Sequence, residues 1–207
     1  MNRRRFLHVV SASLFAALGW PLLAGAATWQ VDPAHSRVGF RVRHMMISHV
    51  NGTFGDVQGT VRYDPAAPHA STVEVAVQVA SIDTGVDKRD AHLRSPDFFD
   101  VETFPTMTFR STRVTPAGDG RLEVRGELTL RGVSREIVLQ VQGPSPEVTD
   151  PWGNTRIGAS ATATLNRKDF GLTWNKALEA GGVLVGDEVT IELDVELIKQ
   201  GETEARK

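Results

Sequence analysis

The chain has 207 residues, 23 Lys and Arg against 25 Asp and Glu, a formal charge of −2, and no cysteine. That balance gives the chain as a whole no electrostatic footprint for nucleic acid or for anionic lipid surfaces. The missing cysteines exclude thiol catalysis, disulfides and cysteine metal sites, and the length fits one domain able to bury a core without cross-links.

In chain order, the first feature is a leader. Arg3, Arg4 and Arg5 precede an apolar run over residues 9–23, and Ala24-Gly25-Ala26-Ala27 then supplies small residues where a signal peptidase cuts. A membrane span needs about 20 apolar residues, and this run contains Ser11, Ser13, Gly19 and Pro21, so cleavage after Ala26 or Ala27 is expected rather than a permanent anchor. Asn2-Arg3-Arg4-Arg5-Phe6-Leu7-His8 resembles the twin-arginine export signal, which implies a periplasmic protein that leaves the cytoplasm already folded. The expected division is a signal peptide over 1–27, a β-barrel over 28–199 and a polar tail over 200–207. Three arginines leave with the leader, taking the formal charge from −2 to −5.

Beyond the leader the dominant period is two. Apolar and polar residues alternate through 38–43, 73–79, 122–130 and 189–197, the mark of strands with one face in water. Further strands are expected at 54–63, 106–114, 136–142 and 155–165. Gly, Pro and Asp clusters divide them, and Asp119-Gly120 marks a hairpin. One helix is expected over 86–95, with a short second turn at 96–99. About eight antiparallel strands can form a two-sheet sandwich or close into a barrel. Small residues on one apolar face, as at Ile157, Ala159, Ala161 and Ala163, would leave room inside, but large partners opposite could fill it; pattern alone leaves both open.

Several segments together resemble the YceI-like polyisoprenoid-binding family. They are Asp32-Pro33-Ala34-His35-Ser36-Arg37-Val38-Gly39-Phe40, a long middle block from Ser81-Ile82-Asp83-Thr84-Gly85 through Arg89-Asp90-Ala91-His92-Leu93-Arg94 to Ser111, and later Arg167-Lys168-Asp169-Phe170-Gly171 and Gly186-Asp187-Glu188-Val189. The resemblance covers residues 29–199. It implies an all-β fold, an extended antiparallel eight-stranded lipocalin-like barrel with one or two short helices. It also implies a periplasmic carrier, not an enzyme, holding an isoprenoid quinone or prenyl phosphate in an apolar pore, as monomer or homodimer. An enzyme acting on a lipophilic substrate in the same barrel, or an interaction module with a filled interior, are the alternatives.

A hydrocarbon chain needs apolar lining, worth roughly 25 cal/mol per Å² removed from water, and a few polar groups at a mouth. The expected lining is Phe40, Val42, Phe54, Phe98, Phe99, Phe104, Met107, Phe109, Phe170, Leu172 and Trp174. Phe98 and Phe99 are expected to plug one end, with a movable lid as the alternative. Arg89, Asp90, His92 and Arg94 are head-group candidates, although Arg89 and Asp90 also read as a structural ion pair. No cofactor, catalytic residue or metal is expected: His35, His44, His49, His69 and His92 lack metal-ligand spacing, and His35 beside Ser36 on a strand would point away from it. Lys168, Asp169, Asp187 and Glu188 read as solvated charge near turns.

Overall fold

The computed structural model describes residues 25–179 and 181–201. The leader reading falls on residues 1–24 and most of the tail on 202–207, outside the described residues.

Among the described residues alternation is realised as twelve strands: β1 (Ala27–Val31), β2 (Arg37–His44), β3 (Ser48–Phe54), β4 (Val57–Tyr63), β5 (Thr72–Gln78), β6 (Ile82–Asp83), β7 (Thr106–Pro116), β8 (Arg121–Leu130), β9 (Val133–Gln142), β10 (Val148–Thr149), β11 (Thr155–Asn166) and β12 (Val185–Lys199). One α-helix, α1 (Asp87–Arg94), follows β6. Pairing runs β11–β9–β8–β7–β5–β4–β1–β12, and β12 returns to β11 through eleven paired positions, closing an eight-stranded antiparallel barrel. Closure leaves the period-two pattern one interior. On β8, Leu122, Val124, Leu128 and Leu130 face inward, while on the outside Arg125 bridges Glu123 and Glu136.

The remaining strands extend the same walls. Beyond β1, β2 takes over the same edge of β12; beyond β4 and β5, β3 and β6 continue in turn. Three neighbouring barrel strands are therefore interrupted at one level: at 32–36, at Gly55-Asp56 and at Val79–Ser81. The sequence predicts one strand over 54–63, and the chain instead breaks at Gly55-Asp56. Two serines replace the missing ladder bonds. Ser36 Oγ donates to the Glu196 carbonyl at 3.3 Å and accepts from the Glu196 N–H at 3.1 Å. Ser81 Oγ donates to the Gln78 carbonyl at 2.6 Å and accepts from the Asp56 N–H at 3.1 Å.

The first break is held by charge. Arg156 of β11 donates through Nη1 to Asp32 Oδ2 at 2.6 Å and Glu196 Oε2 at 3.0 Å, and through Nε to Asp150 Oδ2 at 2.7 Å. His35 lies in the break, with Nδ1 2.8 Å from Asp32 Oδ2. The Arg156 hydrogen bond, with His35 second, lowers the buried Asp32 carboxyl from 3.8 to about 2. Arg156 likewise holds Asp150 far below the usual carboxylate range.

Candidate functional site: a dry cavity in the barrel

The interior is only partly filled. Phe98, Phe170, Leu172 and Ala163 pack at the helix end, and Trp29, Ile157 and Leu197 form a small cluster toward the other. Between them lies a cavity of about 300 Å³. Val189, Ile191, Leu193 and Val195 face it from β12 and are only half-buried inside a closed barrel. On β8 its lining runs from Leu122 to Leu130. At about 3.3 Å per residue on tilted strands, that is roughly 20 Å of barrel axis, so the space is long and narrow.

Small residues create the room. Ala159 and Ala161 line the cavity, and Ile157 and Ala163 continue the same inward face. Gly52 and Gly126 act on the rings: a Cβ on Gly52 would stand 2.4 Å from the Phe40 ring, and one on Gly126 2.5 Å from that of Phe109. With glycine there, each ring lies over the neighbouring strand and projects less into the space.

Of the expected lining, Phe40, Val42, Phe54, Phe98, Phe99, Met107, Phe109 and Leu172 border the cavity. Phe104, Phe170 and Trp174 do not. Phe104 packs on Gly132, Phe170 is 1 % exposed within the core, and Trp174 stacks with Phe98 and His92 outside the cavity. Val38, Val75, Val77, Leu128, Leu139 and Ile191 also border it; strict alternation marked most of these as inward without showing which faced space rather than another side chain.

Phe98 and Phe99 sit across the helix end. Phe98 meets Trp174 and the edge of His92, and Phe99 meets the edge of Phe54. Their loop is tied down: the Phe99 N–H donates to Leu93, and Arg131 reaches the carbonyls of Pro96 and Gly171 at 2.9 and 2.6 Å. Both rings border the cavity at this end.

The head-group candidates all lie on α1, outside the cavity lining. Arg89 donates to Thr84 Oγ1 and to the Thr84 carbonyl, and the buried Asp90 accepts from the Thr84 N–H and hydroxyl. The expected direct Arg89–Asp90 pair is thus replaced by a shared clamp on Thr84. Arg94 fastens α1 to the carbonyls of Ala80 and Ile82, and His92 pairs with Asp97 at 2.9 Å.

Among the described residues, no carboxylate and no histidine lines the cavity; its ionisable side chains are Tyr63 and Arg167. Arg167 is buried and donates to the backbone carbonyls of Gly186, Leu172 and Trp174 and to Asp187. Burial lowers its pKa, and Asp187 opposes that. Asp187 also holds Lys168 at 2.8 Å, so this end carries a structural network where solvated charge was expected. The described His and carboxylate cluster close enough to hold a metal is Asp32, His35 and Glu196, and the Arg156 guanidinium already stands among them as the cation. Ser36 engages the Glu196 backbone and His35 engages Asp32, so the two do not form a nucleophile and base.

A closed antiparallel barrel around a narrow apolar cavity, with a helix and two aromatic rings at one end, defines a barrel suited to a hydrophobic ligand. The chain belongs to the YceI-like domain family, whose sequence profile matches residues 29–197. It is 39% identical over 166 residues to a UPF0312 protein of Vibrio cholerae, covering 79% of this chain and 87% of that one. The crystal structure of Burkholderia cenocepacia BcnA is similar with a TM-score of 0.71 at 25% identity, over 80% of this chain and 98% of that one. A polyisoprenoid binding domain from Saccharophagus degradans shares the fold, with a TM-score of 0.62 at 17% identity over 84% and 99% of the two chains. No described helix is long and apolar enough to cross a membrane.

Proposed function

We propose that this protein is an exported carrier that holds a long isoprenoid chain, as a quinone or prenyl phosphate, in the barrel. The observation that carries this reading is the cavity itself: about 300 Å³ drawn out along the barrel and walled by apolar side chains. That shape suits one flexible chain better than a globular ring system. A dry wall favours hydrocarbon and leaves a polar head at a mouth, in contact with water. The lining supports binding over catalysis, because it offers no acid–base pair, and its hollowness argues against an interaction module with a filled interior. Export fits the strand order as well, since cleavage after Ala26 leaves all five residues of β1.

The test is mass spectrometry of organic extracts from the mature protein purified from its native host. An isoprenoid lipid is expected, at near-stoichiometric amount. Ala161 faces Val141 and Leu193 across the inward side of β11, so Ala161→Trp fills the cavity. It is expected to lower lipid content tenfold or more while the far-ultraviolet circular dichroism is kept. Repeated extracts without lipid, or equal lipid in the Trp variant, overturn the reading. Export is tested separately: Arg3→Lys with Arg4→Lys is expected to leave precursor in the cytoplasm.

A further inference from the structure

The β2–β3 hairpin differs in chemistry from the rest of the molecule. Its tip is three consecutive apolar residues, Met45, Met46 and Ile47, exposed by 41, 49 and 78%. Met45 and Met46 both have positive φ, 50° and 62°. Turns with that backbone ordinarily use Asn or Gly, because a Cβ there crowds the chain. Methionine at both positions is locally unfavourable, which points to a use for apolar side chains at this spot.

The tip is also held in place. The Met45 N–H donates to the Leu184 carbonyl at 2.7 Å, and Arg43 grips the Met46 carbonyl through Nε and Nη2 at 3.2 and 2.8 Å. On its far edge β3 meets β6 only at Thr53 and Phe54, so Ser48 to Asn51 pair with β2 alone and the hairpin overhangs the barrel.

Charge sorts the same way. Between Asp32 and Asp56 there is no carboxylate, while Arg37, Arg41, Arg43, His44 and His49 all fall there. The acidic whole-chain balance conceals this basic segment. Glu192 of β12 lies 3.7 Å from Arg41, Asp194 stands opposite Arg37 in the ladder, and Asp32 holds His35 at the break, so the charge nearest the tip is the basic one.

We propose that this hairpin docks the protein on a phospholipid bilayer bearing anionic headgroups. Met45, Met46 and Ile47 enter the acyl boundary, and Arg41 and Arg43, the arginines nearest the tip on β2, lie at the phosphates. A convex three-residue tip suits a deformable bilayer better than a protein partner, whose stable interfaces bury about 1,000 Å² or more. The placement serves the lipid-carrying reading, on which the purpose of docking rests. Phe40 and Val42 of the hairpin line the cavity, as does Val185, which pairs with His44, and Phe40 meets Phe54, which meets Phe99, so docking sets the helix end of the cavity, where Phe98 and Phe99 sit, at the membrane.

The experiment is co-sedimentation of the mature protein with vesicles of phosphatidylglycerol and phosphatidylethanolamine, against phosphatidylcholine alone, at low and high salt. Binding to the anionic vesicles is expected, weakened severalfold by salt. Met45→Asn with Met46→Gly suits the positive-φ turn, so its melting temperature is expected to hold or rise while vesicle binding falls tenfold or more. Arg41→Gln keeps the tip and is expected to lose most of the salt-dependent share. Equal sedimentation of wild type and the Asn-Gly variant overturns the proposal. So does absent vesicle binding together with a dimer that the variant abolishes, which makes the tip a contact between copies. Lipid content of each variant, read by mass spectrometry, separates failure of docking from failure of the carrier reading.

Discussion

The two sides of the barrel are built on different principles. From β7 through β9 and on to β11 and β12, strands of 10 to 15 residues run unbroken, and apolar burial holds them. From β1 to β6 every long strand is interrupted at the same level, and the breaks are sealed by polar groups: Arg156 with three carboxylates, Ser36, Ser81, and Arg94 on the carbonyls of Ala80 and Ile82. The unbroken side resists through packing, whereas the broken side depends on hydrogen bonds and charge. A wall that must bend around a hollow gives up ladder bonds, and side chains have to replace each of them.

The largest effect should come from the packed side. Phe170 closes the turn after β11 and is fully enclosed, so Phe170→Ala is expected to destabilise by about 3–5 kcal/mol. Leu193 sits on the neighbouring strand but faces the cavity, where part of its surface already lacks protein contacts. Leu193→Ala should therefore lose only about 1–2 kcal/mol, less than an enclosed leucine would. Urea unfolding of the delipidated protein measures both. Equal losses would mean that the interior is packed around Leu193 and the hollow is not real.

The broken side should reveal itself through pH. Asp32 has a folded pKa of about 2, below its ordinary value of 3.8. A lowered carboxylate pKa contributes stability that is fully present above the unfolded value and is lost as pH falls toward the folded one. Stability should accordingly decline from about pH 5 toward pH 2. Asp150, held down by the same guanidinium, extends the decline further into acid. Asp32→Asn is expected to be less stable at pH 7 and to show a flatter acid limb. An unchanged limb in thermal melts across that range would assign the acid sensitivity elsewhere.

The same division decides what could be read from the residues. Alternation in β8 and over 189–197 of β12 exposed those strands directly, because each position there faces either water or the interior; the register shift in β12, between Val185 and Val189, precedes that run. β1 was invisible: five residues beside a leader give too short a pattern. β3 was hidden because Ser48, His49, Asn51 and Gly52 are not strand-like in composition, and β2 supplies its partner from outside the pattern. Its junction with β4 could not be seen, since Gly55-Asp56 reads equally as a bulge or a break. Inward-facing residues were legible as a class. Which of them bordered empty space was not, because that depends on side chains from opposite walls: Phe170 and Leu172 lie two residues apart in one segment, yet only Leu172 borders the cavity.

The smallest expected effect tests the hydrogen-bonded side most directly. Ser81 stitches two of the three breaks, and its hydroxyl both donates to Gln78 and accepts from Asp56. Ser81→Ala removes both bonds without changing volume much, and leaves the Asp56 N–H without its partner. A loss of about 1–2 kcal/mol is expected, a shift of roughly 2–8 °C in melting temperature for a domain of this size. On the unbroken side Ser134 also makes a hydroxyl bond, 2.8 Å from Thr129 Oγ1, but where the backbone ladder between β8 and β9 is complete. Ser134→Ala should fall within about 0.5 kcal/mol of wild type, because water replaces what is lost. The contrast isolates the role of the side chain: both hydroxyls are hydrogen-bonded, and only that of Ser81 stands in for missing ladder. Equal effects at the two sites would show that the breaks are held by the packing of Val79 and Ile82 beneath them, and that the serines merely decorate a bend set by apolar burial.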